Sequence, residues 1–171
     1  MNDEISEVVH DIVTTQEVLN KLYNIEPARA VPAPPAPDRD LDALEKHLAG
    51  RGLRLPPSYR AFLKVHNGIK AFKAALDLLP AKEVTRPVDP ALENDFPMLS
   101  RLIIASGNTP EFISLDPETA KRNGEMEVVW VMGDGGQFRY ENFGLFLREL
   151  RDELQKSLAK EQGDRKKLRR K

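Results

Sequence analysis

The sequence predicts a single domain of mixed helix and strand, the α+β class, carrying a helical extension at its N-terminus. Three observations predict this: apolar residues at three- and four-residue spacing near both ends of the chain, short apolar runs broken by turn formers between them, and a cluster of prolines behind the first helix. With 171 residues there is room for one ordinary domain and an appendage, but not for two full domains.

The first element runs from Ile5 to Tyr23, where Ile5, Val8, Val9, Ile12, Val13, Leu19, Leu22 and Tyr23 make one apolar stripe on a helix that Asn2 or Asp3 can cap. Such a helix is a docking element, for its own domain or for a second molecule. Pro27, Pro32, Pro34, Pro35 and Pro37 then follow, interleaved with alanine, and predict an extended, semi-rigid spacer. Leu41, Leu44, Glu45 and Leu48 suggest a short helix closed by Gly50 or Gly52. Pro56 and Pro57 suit the start of the next helix, whose Tyr59, Phe62, Leu63 and His66 share a face and which Asn67-Gly68 stops.

Beyond residue 68 the pattern changes. Ala75 to Leu79, Leu102 to Ala105, Glu111 to Leu115 and Met126 to Met132 read as strands. Val128, Val129, Trp130 and Val131 in the last of these are apolar without interruption, which predicts burial on both faces and hence a central strand. Ala105 to Pro110 reads as a tight connection, and Gly133-Asp134-Gly135-Gly136 as a turn. Asn142 is a good cap for a long final helix bearing Phe143, Phe146, Leu147, Leu150, Leu154 and Leu158. From Lys160 to Lys171 apolar content nearly vanishes, and a frayed or disordered tail is expected.

Composition narrows the function classes. A chain that is 40% hydrophobic and 31% charged is neither disordered throughout nor a membrane protein, and no stretch approaches the roughly 20 apolar residues that span a bilayer. Met1-Asn2-Asp3-Glu4 begins acidic where a secretory signal begins basic, and cysteine is absent; both fit a cytoplasmic location. Charge is uneven: residues 1–37 carry a net −4, residues 38–155 a net −3 and residues 156–171 a net +6.

No set of residues has catalytic spacing. His10, His47 and His66 fall on three different helices, outside any metal-ligand pattern. Asp116 and Glu118 flank Pro117 at a strand end, which is ordinary turn chemistry. The glycine-rich Gly133 to Gly136 lacks the lysine and hydroxyl residue of a phosphate-binding loop. Clustered Lys and Arg in the tail could touch nucleic acid or an anionic membrane, but without interleaved aromatics a solvated tail is the reading taken.

Three blocks resemble the SUKH superfamily, the Smi/Knr-type cell-wall-regulator homology domain. The first is Leu55-Pro56-Pro57-Ser58-Tyr59-Arg60-Ala61-Phe62-Leu63 ending in Asn67-Gly68, the second the strand pair from Ile104 to Asp116, the third Asn142-Phe143-Gly144-Leu145-Phe146-Leu147. Leu55, Pro56, Tyr59, Phe62, Leu63, Asn67, Gly68, Asp116, Phe143, Phe146 and Leu147 are the fold-marking residues. The likeness covers about residues 40 to 155 and departs from the family pattern at Asn142, where serine is commoner, and in a longer stretch between Leu79 and Leu102.

The resemblance implies a mixed, mostly antiparallel sheet packed against helices, with no cofactor, no metal and no catalytic residue. It divides the chain into an N-terminal amphipathic helix (1–26), a Pro/Ala-rich linker (27–38), the SUKH-like domain (39–158) and a basic tail (159–171). Function is then expected to be non-enzymatic protein binding, of the immunity type in which a cognate toxin is bound and neutralised. The alternative is a regulatory adaptor that recruits partners through the N-terminal helix and the basic tail. Asp89, Glu93, Asp95, Asp134 and Glu141, placed on loops and element ends, are the candidate partner-binding residues.

Overall fold

The computed structural model describes residues 2–25, 30–73, 76–84, 102–107 and 110–168. Helix α1 (Asn2–Tyr23) is followed by a two-residue strand β1 (Val31–Pro32), α2 (Asp38–Ala49), α3 (Pro57–Leu63), β2 (Ile69–Lys73), β3 (Leu76–Leu78) and the single turn α4 (Ala81–Val84). Then come β4 (Leu102–Gly107), β5 (Phe112–Asp116), a 3-10 turn (Pro117–Thr119), β6 (Glu127–Val131), β7 (Gln137–Tyr140) and the long α5 (Phe143–Leu168). Among the described residues, seven strands lie in chain order, each antiparallel to the next.

Helix α5 packs on the β6–β7 end of this meander. Phe146 of α5 sits edge-on to Tyr140, with ring centres 5.1 Å apart, and to Trp130 at 6.5 Å. Phe143, one turn earlier, meets Tyr59 at 4.9 Å and Phe62 at 5.1 Å on α3. The start of α5 is thereby locked to both the sheet and α3, each buried aromatic adding a large apolar area and a favourable ring geometry. Asn142 caps the helix as expected, accepting from the Leu145 N–H at 2.9 Å.

The Leu55–Gly68 segment forms a buried corner. Leu55, Pro56, Tyr59, Phe62 and Leu63 are all buried. At its end the Asn67 side-chain oxygen accepts from the Ala81 N–H that opens α4 (2.8 Å), while the Asn67 N–H donates to Pro34 O (2.9 Å). Gly68 has φ +93°, and a Cβ there would lie 2.5 Å from the Leu78 carbonyl oxygen. Only glycine satisfies both the left-handed backbone and this approach. The family-like Asn-Gly is thus more than a helix stop: it joins three segments.

The proline segment, described from Ala30 on, is more than the semi-rigid spacer its composition suggests. It is extended, but it pairs with β2 through Val31 and Pro32, and it is stitched on by Ala33 N–H to Gly68 O (3.0 Å) and Ala36 N–H to Leu63 O (2.9 Å). Extended backbone with few internal bonds is free to bond an adjacent edge, and here it does.

Two further expectations are corrected. The Val128–Val131 strand is buried on both faces, yet β6 is second from the sheet's end rather than central, so both-face burial did not locate it in the sheet. And α5 continues as helix to Leu168 instead of fraying from Lys160. Its distal half is held by α1: Tyr23 Oη donates to Glu161 at 2.9 Å, and Arg165, itself paired with Glu161 at 2.9 Å, donates to the Leu22 carbonyl at 3.1 Å. Nearer the start, Arg148 pairs with Glu4 at 3.1 Å. Between these contacts the α1 stripe of Ile5, Val8, Val9, Ile12 and Val13 is buried, α1 packing chiefly on α5 and also on α3.

Candidate functional site

Candidate partner-binding residues Asp89, Glu93 and Asp95 lie outside the described residues. Asp134 and Glu141 are described, and the fold brings them to the two ends of one strand. Asp134 sits in the turn from β6 to β7, where Met132 N–H donates to Gly136 O (2.8 Å) and Gly135 N–H to Met132 O (2.9 Å). The Asp134 carboxylate accepts from the Gly136 N–H at 2.9 Å, which fixes the turn by a local side-chain bond. Glu141 leaves the other end of β7 exposed, paired with Lys121 at 2.5 Å. That hydrogen bond and the lysine's charge hold its carboxyl below the ordinary carboxylate range.

Between the two acids, Gln137, Phe138 and Arg139 are exposed, and Phe138 keeps 54% of its surface in solvent. Its ring leans on Trp130, its cross-strand partner, with centres 6.3 Å apart. Arg139 does not project freely. Its guanidinium reaches back across the sheet to Glu127 (2.8 Å) and to the nearly buried carboxylate of Asp116 (3.3 Å). Asp116 in turn caps the 3-10 turn through the Glu118 N–H (3.2 Å). Thr119 Oγ1 donates to the Asp116 carbonyl (2.7 Å) and accepts from the Glu127 N–H (2.8 Å). Asp116 is therefore spent on structure, its charge answered by an arginine, and Glu118 is exposed beside it.

A small groove of about 180 Å³ opens between α1, α3 and the start of α5. Its polar groups are occupied in joining elements. Glu125 accepts from both the N–H (2.9 Å) and the hydroxyl (2.6 Å) of Ser58, so it caps α3 from 67 residues away. Pro56 stands at the capping position and has no side-chain acceptor to offer. Glu4 and Arg148 close the groove with their ion pair.

The remaining sequence candidates stay apart. His10 and His47 are exposed on α1 and α2, while His66, just past α3, is half-buried. Among the described residues, no group of three histidines or carboxylates is arranged to hold a metal ion, and no helix is long and apolar enough to cross a membrane. The fold-marking residues Leu55, Pro56, Tyr59, Phe62, Leu63, Phe143, Phe146 and Leu147 line the core rather than any surface. Sequence reasoning missed Phe138, whose one signal was alternation in the short Gln137-Phe138-Arg139-Tyr140 run after a glycine turn.

The family model described as SMI1 / KNR4 family (SUKH-1) matches residues 35–149, and the chain belongs to this family. The match leaves α1 and residues 150–168 of α5 outside it. Comparison with curated proteins found no match. Domains of this family are commonly of the immunity type.

Proposed function

We propose that this chain is a non-enzymatic protein-binding domain that neutralises a cognate toxin by binding it stoichiometrically in the cytoplasm. Family membership over residues 35–149 carries this reading. The exposed β6–β7 end supports it, since an apolar ring framed by acidic residues is the kind of surface a protein partner covers. Asp134 and Glu141 are its contact residues here, and Asp89, Glu93 and Asp95 are proposed to extend the surface from the segment between Leu79 and Leu102. Acid groups around it favour a basic target and a fast, salt-sensitive association. The boundaries at residues 26, 38 and 158 are proposed as functional ones, with the domain sufficient for binding.

The test is co-expression with the toxin encoded beside this protein's gene. Protection of the cells and a co-purifying complex of defined stoichiometry are expected. Neither protection nor a complex would sink the reading. The adaptor alternative asks α1 to be available to a second protein, and the first half of its apolar face, Ile5 to Val13, is covered within the chain. Deleting residues 1–26 separates the two readings, because an adaptor loses its activity with that helix and a toxin inhibitor retains binding.

A further inference from the structure

We infer that the outer edge of β7 takes up an extended, basic segment of the partner as an eighth strand, with Phe138 covering an apolar side chain of that segment. This rests on the protein-binding reading above and adds how the partner is held.

The two edges of the meander are built differently. The first edge, β1, is two residues long, includes Pro32 and runs on into Pro34 and Pro35, a composition that blocks further pairing because proline has no N–H to give. Among the described residues, β7 pairs with β6 alone. It holds neither proline nor lysine, and its one cation, Arg139, is turned back onto Glu127 and Asp116. Proline and an outward lysine, two common protections of an open edge, are missing from it.

The backbone groups it offers can be assigned. Met132 N–H bonds Gly136 O, so that facing pair is a hydrogen-bonded one. Such pairs alternate along an antiparallel ladder. With Val131 facing Gln137, Trp130 facing Phe138, Val129 facing Arg139 and Val128 facing Tyr140, Phe138 and Tyr140 bond inward to β6. The N–H and C=O groups of Gln137 and Arg139 therefore point outward. Arg139 answers Asp116 and Glu127, and Lys121 answers Glu141, while Asp134 at the turn and Glu149 and Glu153, whose charges act on Tyr140 of the strand, leave an excess of negative charge beside it. That excess selects a segment carrying lysine or arginine. Main-chain bonds supply affinity in this mode, and alternate side chains supply specificity.

Hydrogen exchange of the labelled full chain reads the proposal directly. In the free protein the amides of Gln137 and Arg139 should exchange fast and those of Phe138 and Tyr140 slowly. Adding a peptide of about ten residues that alternates lysine and valine should slow Gln137 and Arg139 by about tenfold or more. A peptide alternating glutamate and valine should leave them unchanged. Gln137→Pro removes an outward N–H without touching the inner ladder and should abolish the effect; Phe138→Lys, at a side chain already exposed, should do the same if the proline variant fails to fold. Peptide binding that leaves the Gln137 and Arg139 amides unchanged, no binding at all, or equal binding by both variants would overturn the proposal. A chain that fails to protect cells yet takes up the lysine peptide at β7 refutes the toxin reading and leaves the edge standing. One that protects fully with Gln137→Pro in place retains the toxin reading and loses the edge.

Discussion

The Leu55–Gly68 corner and the β6–β7 hairpin are both short, glycine-containing turns of chain, and they put their residues to opposite uses. In the corner most side chains are buried, and the polar groups at its end bond two other segments, the proline stretch and the start of α4. In the hairpin the turn and most of β7 are exposed, the turn is held by its own backbone and one aspartate, and an aromatic ring is left in solvent. A sequence motif that identifies a fold is the kind that packing dictates. The surface that meets a partner is free of that constraint, so it carries no comparable signature.

Substitutions in the two regions should separate stability from binding, and the largest effect belongs to the corner. Gly68→Ala combines left-handed strain with a clash against the Leu78 carbonyl and should cost roughly 3 kcal/mol or more in urea unfolding; a cost under about 1 kcal/mol would mean that β3 yields easily. Glu125→Ala uncaps α3 and leaves the Ser58 N–H without its acceptor, a loss of about 1–2 kcal/mol by the same measurement. Tyr59→Phe should go the other way. The Tyr59 hydroxyl is fully buried, has no hydrogen-bond partner among the described residues, and burial raises its pKa well above the ordinary phenol value. Removing it should leave stability unchanged or raise it by about 1 kcal/mol.

The corner should also respond to pH. Burial lowers the pKa of His66, partly opposed by a 3.4 Å contact of its ring nitrogen with the Ala33 carbonyl. The folded state then binds fewer protons than the unfolded one, so stability falls as pH drops through the ordinary histidine value and on toward the folded pKa. Between about pH 7 and pH 5 the wild-type chain should lose stability more steeply than His66→Gln. A slope that the substitution leaves intact would assign the titration to another group. Smallest of all is the hairpin's own contribution: Asp134→Ala should shift stability by no more than about 0.5 kcal/mol while weakening partner binding. If it unfolds the chain instead, the contrast between the regions is gone.

Most of the helices were legible because their apolar residues recur at helical spacing and are in fact buried. The strands that escaped did so for local reasons. In β2 the positive φ of Ala71 makes a bulge, so Ile69 and Phe72 are both buried at a spacing that breaks the two-residue rhythm. β1 is two residues long and ends in proline, and β7 buries no side chain fully. Low apolar content and clustered charge hide the helix of the tail, yet lysine and arginine are good helix formers, Glu161 and Arg165 stand four apart, and α1 offers a surface alongside. At the candidate site, Asp134 and Glu141 could be placed on exposed ends from turn chemistry. Phe138 between them could not, since exposure of an aromatic depends on where its strand falls in the sheet.

The docking of α1 on α5 also bears on how the chain is made. Neighbouring strands of the meander follow one another in sequence, so the sheet can grow as the polypeptide emerges, each strand finding a partner already present. Helix α1 is the exception: it is synthesised before the whole meander, and its main partner comes after it, Glu4 waiting for Arg148 and Leu22 for Arg165. Ile5, Val8, Val9, Ile12 and Val13 therefore stay uncovered by α5 for most of translation. Helix α1 leaves the ribosome ahead of the strands and gains its main cover only with α5, so for that interval its apolar stripe is open to a chaperone.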